Sequence, residues 1–194
     1  MTEPDRHAAG GAPVEPTQRP RVVLVGPMGA GKTTVAALLG ERWGVPVRDT
    51  DHDVEAVAGC TVADLFVQQG EPHFRAMEAL AVERALAEHT GVLALGGGAV
   101  TQGPTRRLLV EHGRAGGTVV WLDVDLPSAA KRVGLSRDRP ILGVNPRAML
   151  RQMLETRAPL YAEVSSATVQ TGGREPRDVV ADVTALLVAA RDAR

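Results

Sequence analysis

The chain has 194 residues, enough for one domain with its own core, since folding at this size buries roughly 70% of the surface an unfolded chain exposes. Its 44% hydrophobic and 23% charged content is that of a soluble globular protein, and a formal net charge of −1 with 3% aromatic residues argues against a nucleic-acid partner. Cys60 is the only cysteine, no run nears the ~18 apolar residues of a membrane helix, and no basic-then-apolar leader opens the chain; an intrachain disulfide and a thiolate metal cluster are excluded, and a cytoplasmic protein with no membrane partner is expected.

Residues 1–20 contain Pro4, Pro13, Pro16, Pro20 and Gly10-Gly11 but almost no large apolar side chain. Such a stretch cannot offset its ordering entropy by burial, so a disordered tail is expected, followed by a single domain over residues 21–194. Val22-Val23-Leu24-Val25 reads as a strand buried on both faces of a parallel sheet. It runs into Gly26-Pro27-Met28-Gly29-Ala30-Gly31-Lys32-Thr33, which fills the pattern G-x-x-x-x-G-K-S/T, and then into a helix from about Lys32 to Trp43. Glycines let the backbone curl so that several N–H groups face one anion, and the helix start adds its positive end. Lys32 can then reach the terminal phosphates of ATP, and the Thr33 hydroxyl can ligate Mg²⁺. A chance glycine-rich turn would not require a buried strand before it and a helix after it. Only Lys32 and Lys131 are lysines, and one of them stands in this loop.

Pro46 to Asp49 forms a second short strand, ending in Asp49-Thr50-Asp51. Ligands of open α/β sheets bind beyond such strand ends. If the extended geometry persists, the two carboxylates project the same way, Asp49 toward hydrated Mg²⁺ and Asp51 toward the hydroxyl of a phosphoryl acceptor. They are equally well read as helix caps before Val54, since a short helix is expected from Asp51 to Val57. Thr61 and Asp64 match a capping box at the start of the next helix. Pro72 opens a longer one that reaches about Glu88. Within it Arg75 and Glu78, in Phe74-Arg75-x-x-Glu78, share a face. Such a pair either holds a guanidinium ready for an anionic substrate or is a solvated surface ion pair of little consequence.

Val92 to Leu95 is a third buried strand, and it ends in Gly96-Gly97-Gly98, where ligand and backbone can approach closely. A helix over about Pro104 to His112, a strand over Thr118 to Leu122 and a helix from Pro127 to near Gly134 follow. The stretch from Gly134 to Asn145, with Arg137, Asp138, Arg139 and Pro140, reads as a mobile lid or as a basic surface loop. A long helix from Pro146 to Tyr161 ends in Arg157-Ala158-Pro159-Leu160-Tyr161, where a cation can simply compensate the helix dipole. A strand at Ala167 to Gln170 and a helix from Arg177 to Arg191 close the chain. Strands alternating with helices give a three-layer α/β/α fold with a parallel sheet.

Taken together, these segments resemble the shikimate kinase family over about Arg21 to Val188. The likeness rests on the phosphate loop continued to Thr34, Asp49-Thr50-Asp51, Phe74-Arg75-x-x-Glu78, Leu95-Gly96-Gly97-Gly98-Ala99-Val100, Arg139-Pro140-Ile141-Leu142 and Arg157-Ala158-Pro159-Leu160-Tyr161, in that order. It implies a P-loop fold of the nucleoside-monophosphate-kinase type, with five parallel strands and a mobile lid. It also implies a monomer that transfers the γ-phosphoryl of ATP to the 3-hydroxyl of shikimate, a step toward chorismate and the aromatic amino acids. Carried over residue by residue, Gly29, Ala30, Gly31, Lys32, Thr33 and Thr34 would bind ATP, with Thr33 on Mg²⁺ and Asp49 reaching it through water. Asp51 would hold the acceptor hydroxyls and act as base. Arg75 and Arg157 would clamp the carboxylate, with Glu78 positioning Arg75. Gly97 and Gly98 would meet the substrate ring, Lys32 and Arg139 would stabilise the transferring phosphoryl group, and Arg132 and Arg174 would flank the adenine.

Three departures stand out: the proline-rich N-terminal tail, Val35-Ala36 where a helix glycine is expected, and Cys60 where polar residues are common. A gluconate kinase would share loop and lid, but not the aspartate pair together with Phe74-Arg75-x-x-Glu78 and the triple glycine. A nucleotide-binding homologue without catalysis would bind ATP and shikimate with no turnover.

Overall fold

A computed structural model describes residues 19–134 and 145–192. Most of the expected tail, and the expected lid apart from its end residues Gly134 and Asn145, lie outside the described residues. Five strands, β1 (Val22–Val25), β2 (Val47–Asp49), β3 (Val92–Ala94), β4 (Val119–Asp123) and β5 (Ala167–Gln170), form one sheet in the order β2-β3-β1-β4-β5. Every pairing is parallel, with Leu24 of β1 opposite Ala94 on one side and Val120 on the other. The central strand explains why its sequence is apolar at every position. Val22 and Leu24 enter one hydrophobic cluster and Val23 and Val25 the other, because successive side chains point to opposite faces.

Helices cover both faces. On the first lie α1 (Lys32–Trp43), α5 (Leu126–Val133) and α7 (Pro176–Asp192), through Leu39, Ala129 and Val180. On the second lie α3 (Val62–Glu88), α4 (Gly103–Arg114) and the last turns of α6 (Pro146–Val164), through Val82, Leu109 and Tyr161. A third, smaller cluster of Val54, Leu65 and Phe74 joins α2 (Thr50–Ala58) to α3. Val35 and Ala36, at the place where a glycine was expected, are both buried in the first core, so the departure alters packing rather than chemistry.

The elements expected from the sequence recur with shifted ends. The long α3 is interrupted at Gly70, whose φ of 79° and ψ of 167° are not helical, and it resumes at Glu71, just before Pro72. The helix start expected at Pro72 therefore answers to a real break, which lies two residues earlier at Gly70. Thr61 caps the first part by accepting from the Asp64 amide at 3.1 Å. Helix α6 continues past Tyr161 because Val164 still packs into the core. A 3₁₀ turn at Ala99–Thr101, absent from the sequence-based expectation, follows the triple glycine. Among the described residues no helix is long and apolar enough to cross a membrane.

Leu24 is fully buried at the centre of the sheet. Leu24→Ala is expected to destabilise the fold by about 2–5 kcal/mol, read as a lower urea midpoint with an unchanged slope.

Candidate active site

The phosphate loop links β1 to α1. Gly29 and Gly31 take φ values of 77° and 89°, in the left-handed region that side chains disfavour. Gly31 is the N-cap of α1 and no side chain caps that end. A Cβ added at Gly31 would meet nothing within 4 Å. The loop from Gly29 to Thr34 lines a cleft at the start of α1, and an uncapped helix N-terminus is the arrangement that receives a phosphate. Lys32 folds back over the loop, its Nζ donating to Gly26 O at 2.8 Å and Pro27 O at 3.0 Å. Burial pulls its pKa below the ordinary lysine range, and the nearby carboxylates of Asp51 and Asp49 pull it back.

Strand geometry does not persist through the aspartate pair. Helix α2 begins at Thr50 with Asp49 as its N-cap, Asp49 Oδ1 accepting from the Asp51 amide at 3.1 Å. The capping reading is thus correct for Asp49, and it coexists with a place in the site. Asp49 Oδ2 accepts from Thr33 Oγ1 at 2.9 Å, joining the end of β2 to the first turn of α1. A hydroxyl and a carboxylate are the hard oxygen donors that Mg²⁺ takes, with waters and phosphates completing its shell, so these residues fit that ion. Among the described residues no group of three or more His, Cys, Asp or Glu is placed to hold a metal alone. Burial, and then the negative charge of Asp49, push the Asp51 carboxyl above the ordinary carboxylate range, with Lys32 opposing. Thr50 turns the other way. It is fully buried, and its hydroxyl accepts from the Gly96 amide at 3.0 Å, tying β2 to the glycine run after β3.

The Arg75–Glu78 pair is not a solvated surface pair. Arg75 Nη1 donates to Glu78 Oε2 at 2.6 Å, and the Glu78 side chain is only 1% exposed. Burial raises the Glu78 pKa while Arg75 lowers it. Glu71, one turn earlier, accepts from Arg75 Nε at 3.2 Å and Nη2 at 3.1 Å. That second carboxylate was legible in the i, i+4 spacing and was missed. The rings of Phe66 and Phe74 lie 5.9 Å and 5.1 Å from the guanidinium carbon. Held on several sides, Arg75 lies across Gly98, where an added Cβ would collide with both terminal nitrogens. At Gly96 an added Cβ would collide with Asp51 Oδ1 and Glu78 Oε1. Side chains at either glycine would occupy the space the charged groups need.

Arg157 reaches in from α6, donating through Nη1 to Gly97 O at 3.2 Å. Arg132 donates to Gly29 O at 3.2 Å and to Thr171 Oγ1 at 3.1 Å, so it braces the phosphate loop. Arg174 donates to Gln170 O at 3.1 Å and pairs with Asp182 at 2.7 Å. One cleft of about 1280 Å³ is lined by the loop from Gly29 to Thr34, by Asp49, Asp51, Arg75, Glu78, Gly97, Gly98 and Arg157, and by Arg132 and Arg174. Every expected site residue is therefore gathered around a single cavity except Arg139, which lies outside the described residues.

The chain matches the family model described as shikimate kinase over residues 28–188. It is 55% identical over 170 residues to the shikimate kinase of Salinispora arenicola, covering 88% of this chain and 99% of that protein. It is 54% identical to the shikimate kinase of Streptomyces avermitilis, covering 82% and 91%. Among solved structures, shikimate kinase from Acinetobacter baumannii in complex with shikimate superposes with a TM-score of 0.82 at 37% identity, covering 89% of this chain and 94% of that one. With a phosphate loop, a paired arginine and an aspartate pair around one cleft, and with these relatives, the chain belongs to the shikimate kinase family.

Proposed function

We propose that this chain is the kinase that transfers the γ-phosphoryl group of ATP to the 3-hydroxyl of shikimate, releasing ADP and shikimate 3-phosphate. The observation that carries this is the single cleft: a loop built for phosphates opens onto the same space as two arginines and a desolvated aspartate. Shikimate is an anionic polyol. Its carboxylate calls for guanidinium forks, and its hydroxyls call for an acceptor.

In this scheme the amides of Gly29, Ala30, Gly31, Lys32, Thr33 and Thr34 cradle the ATP phosphates. The Lys32 ammonium exchanges its two loop carbonyls for phosphoryl oxygens and stabilises charge as it shifts toward the leaving oxygen. Thr33 would hold Mg²⁺ directly and Asp49 through water; bound there, the ion neutralises charge on the β- and γ-phosphates. Asp51 accepts a hydrogen bond from the 3-hydroxyl, aligns its oxygen with the phosphorus and takes the proton as the P–O bond forms. Arg75 and Arg157 grip the carboxylate, and Glu78 with Glu71 keeps the Arg75 fork in one pose. Gly97 and Gly98 let the ring lie against backbone. Arg132 and Arg174 border the adenine, and Arg139 would add a cation to the transferring group. Residues 21–194 form the catalytic domain, with residues 134–145 as its lid. Coupled ADP release on adding shikimate tests the reading, with gluconate and nucleoside monophosphates as comparisons. Turnover with gluconate but not shikimate would refute it.

Asp51→Asn is expected to lower kcat by about 10²–10⁴-fold while melting no lower than the parent at neutral pH. The sign follows from the raised carboxyl pKa. The folded state binds that proton more tightly than the unfolded chain, so this group's contribution to stability falls as pH rises through the raised value. The same shift sets the acid limb of kcat/KM above the ordinary aspartate value of about 3.9, because Asp51 loses its accepting charge as pH falls through its own pKa. A limb at or below that value would show that Asp51 is not held above the ordinary carboxylate range. Arg75→Ala is expected to raise KM for shikimate about 10- to 100-fold and to leave KM for ATP nearly unchanged, as initial-rate measurements would show.

A further inference from the structure

Gly97 is the point where three parts of the chain meet. Its carbonyl oxygen accepts from Tyr161 Oη at 2.6 Å and from Arg157 Nη1 at 3.2 Å. An added Cβ would lie 3.2 Å from Met28 N, so the same residue rests against the phosphate loop. Arg157 and Tyr161 stand four positions apart on α6, close enough to converge on one oxygen. The Tyr161 ring is 1% exposed and stacks on Trp121 of β4, with centroids 5.8 Å apart and planes at 28°. The phenol is therefore anchored in the core while its hydroxyl bonds Gly97, a residue of the cleft wall. Burial pushes its pKa up to about 12, so it remains a donor across the working range.

A carbonyl oxygen offers two lone-pair directions. Tyr161 takes one with a short bond, and Arg157 takes the other with a longer one, leaving the rest of its fork for another acceptor. Without the phenolic hydroxyl, Arg157 would be the sole side-chain donor to a part-buried carbonyl. The guanidinium would then settle onto that oxygen, in competition with any carboxylate in the cleft. We propose that Tyr161 is a positioning residue for acid recognition: it fixes the Gly97 carbonyl and so keeps Arg157 presented to the substrate carboxylate. This rests on the reading of Arg157 as part of the carboxylate clamp. It gives a task beyond packing to a side chain that stands behind the residues lining the cleft.

Tyr161→Phe keeps the ring and its stacking and removes only the hydroxyl. KM for shikimate is expected to rise about 5- to 30-fold, with KM for ATP unchanged. The analogue in which the carboxylate is reduced to hydroxymethyl should bind the variant and the parent equally, so the preference for acid over alcohol falls by the same factor. An unchanged KM for shikimate, or equal losses with acid and alcohol, would overturn the proposal. Tyr161 is the only tyrosine in the chain, so uniform incorporation of 3-fluorotyrosine labels this position alone in the otherwise intact protein. Its fluorine resonance should move on addition of shikimate and stay put with the hydroxymethyl analogue; a resonance indifferent to saturating shikimate would equally overturn the role, even were the phenylalanine variant to misfold. A parent protein with no turnover of shikimate would defeat the proposed function and this role with it. Normal parent turnover with an unaffected variant would defeat the role alone.

Discussion

The Lys32 ammonium is desolvated at the start of α1, and the rest of the cleft is arranged around keeping that charge compensated. Two carbonyls of its own loop hold it, and the carboxylates of Asp49 and Asp51 stand close enough to offset the cost of its burial. A buried charge without such partners would shift its pKa until it neutralised. The requirement propagates. Asp51, drawn in beside Lys32, is itself desolvated and faces Asp49, and Glu78 is buried behind Arg75. Charges of both signs are thus interleaved, Glu78 fully buried and the others partly shielded from water, each dependent on the next. A site preorganised in this way costs stability, and in return its dipoles need not reorganise when a phosphoryl group moves.

Parallel topology makes the interleaving possible. In the order β2-β3-β1-β4-β5 the carboxyl ends of β1, β2 and β3 are neighbours, so the phosphate loop, the aspartate pair and the triple glycine emerge side by side. Helices α3 and α6 then pass over those ends and deliver Arg75 and Arg157. Short polar ties lock the segments together: Thr33 to Asp49, Thr50 to Gly96, and Tyr161 with Arg157 to Gly97. Each tie crosses between elements far apart in sequence. Misplacing any one of them would shift a charged group whose partner cannot follow, because the core beneath is close-packed.

The glycine run after β3 shows how local sequence and distant structure divide the work. Three consecutive glycines signalled a close approach of some kind. The atoms making that approach come from elsewhere in the chain: Asp51 and Glu78 at Gly96, the phosphate loop at Gly97, and Arg75 at Gly98. Only at Gly97 within the run is the neighbour the backbone of another loop, and its carbonyl is the acceptor for two side chains of α6.

The order of residues alone determined the periodic elements, the phosphate loop and the motif set that resembles one kinase family, because these depend on spacing within a short window. Strand β1, helix α1 and strand β5 appear where the pattern placed them, since an unbroken apolar run and a glycine-lysine turn have few other solutions. Tertiary structure decided whether Arg75 and Glu78 are buried partners or surface ones, and whether Asp49 caps a helix, faces the cleft, or does both. It alone revealed the hydroxyls of Thr50 and Tyr161 as ties, and Thr171 as the partner of Arg132. The physical reason is that burial and hydrogen-bond partnership across tens of residues are properties of packing, and a single sequence does not display what will lie opposite a side chain once helices cross a sheet.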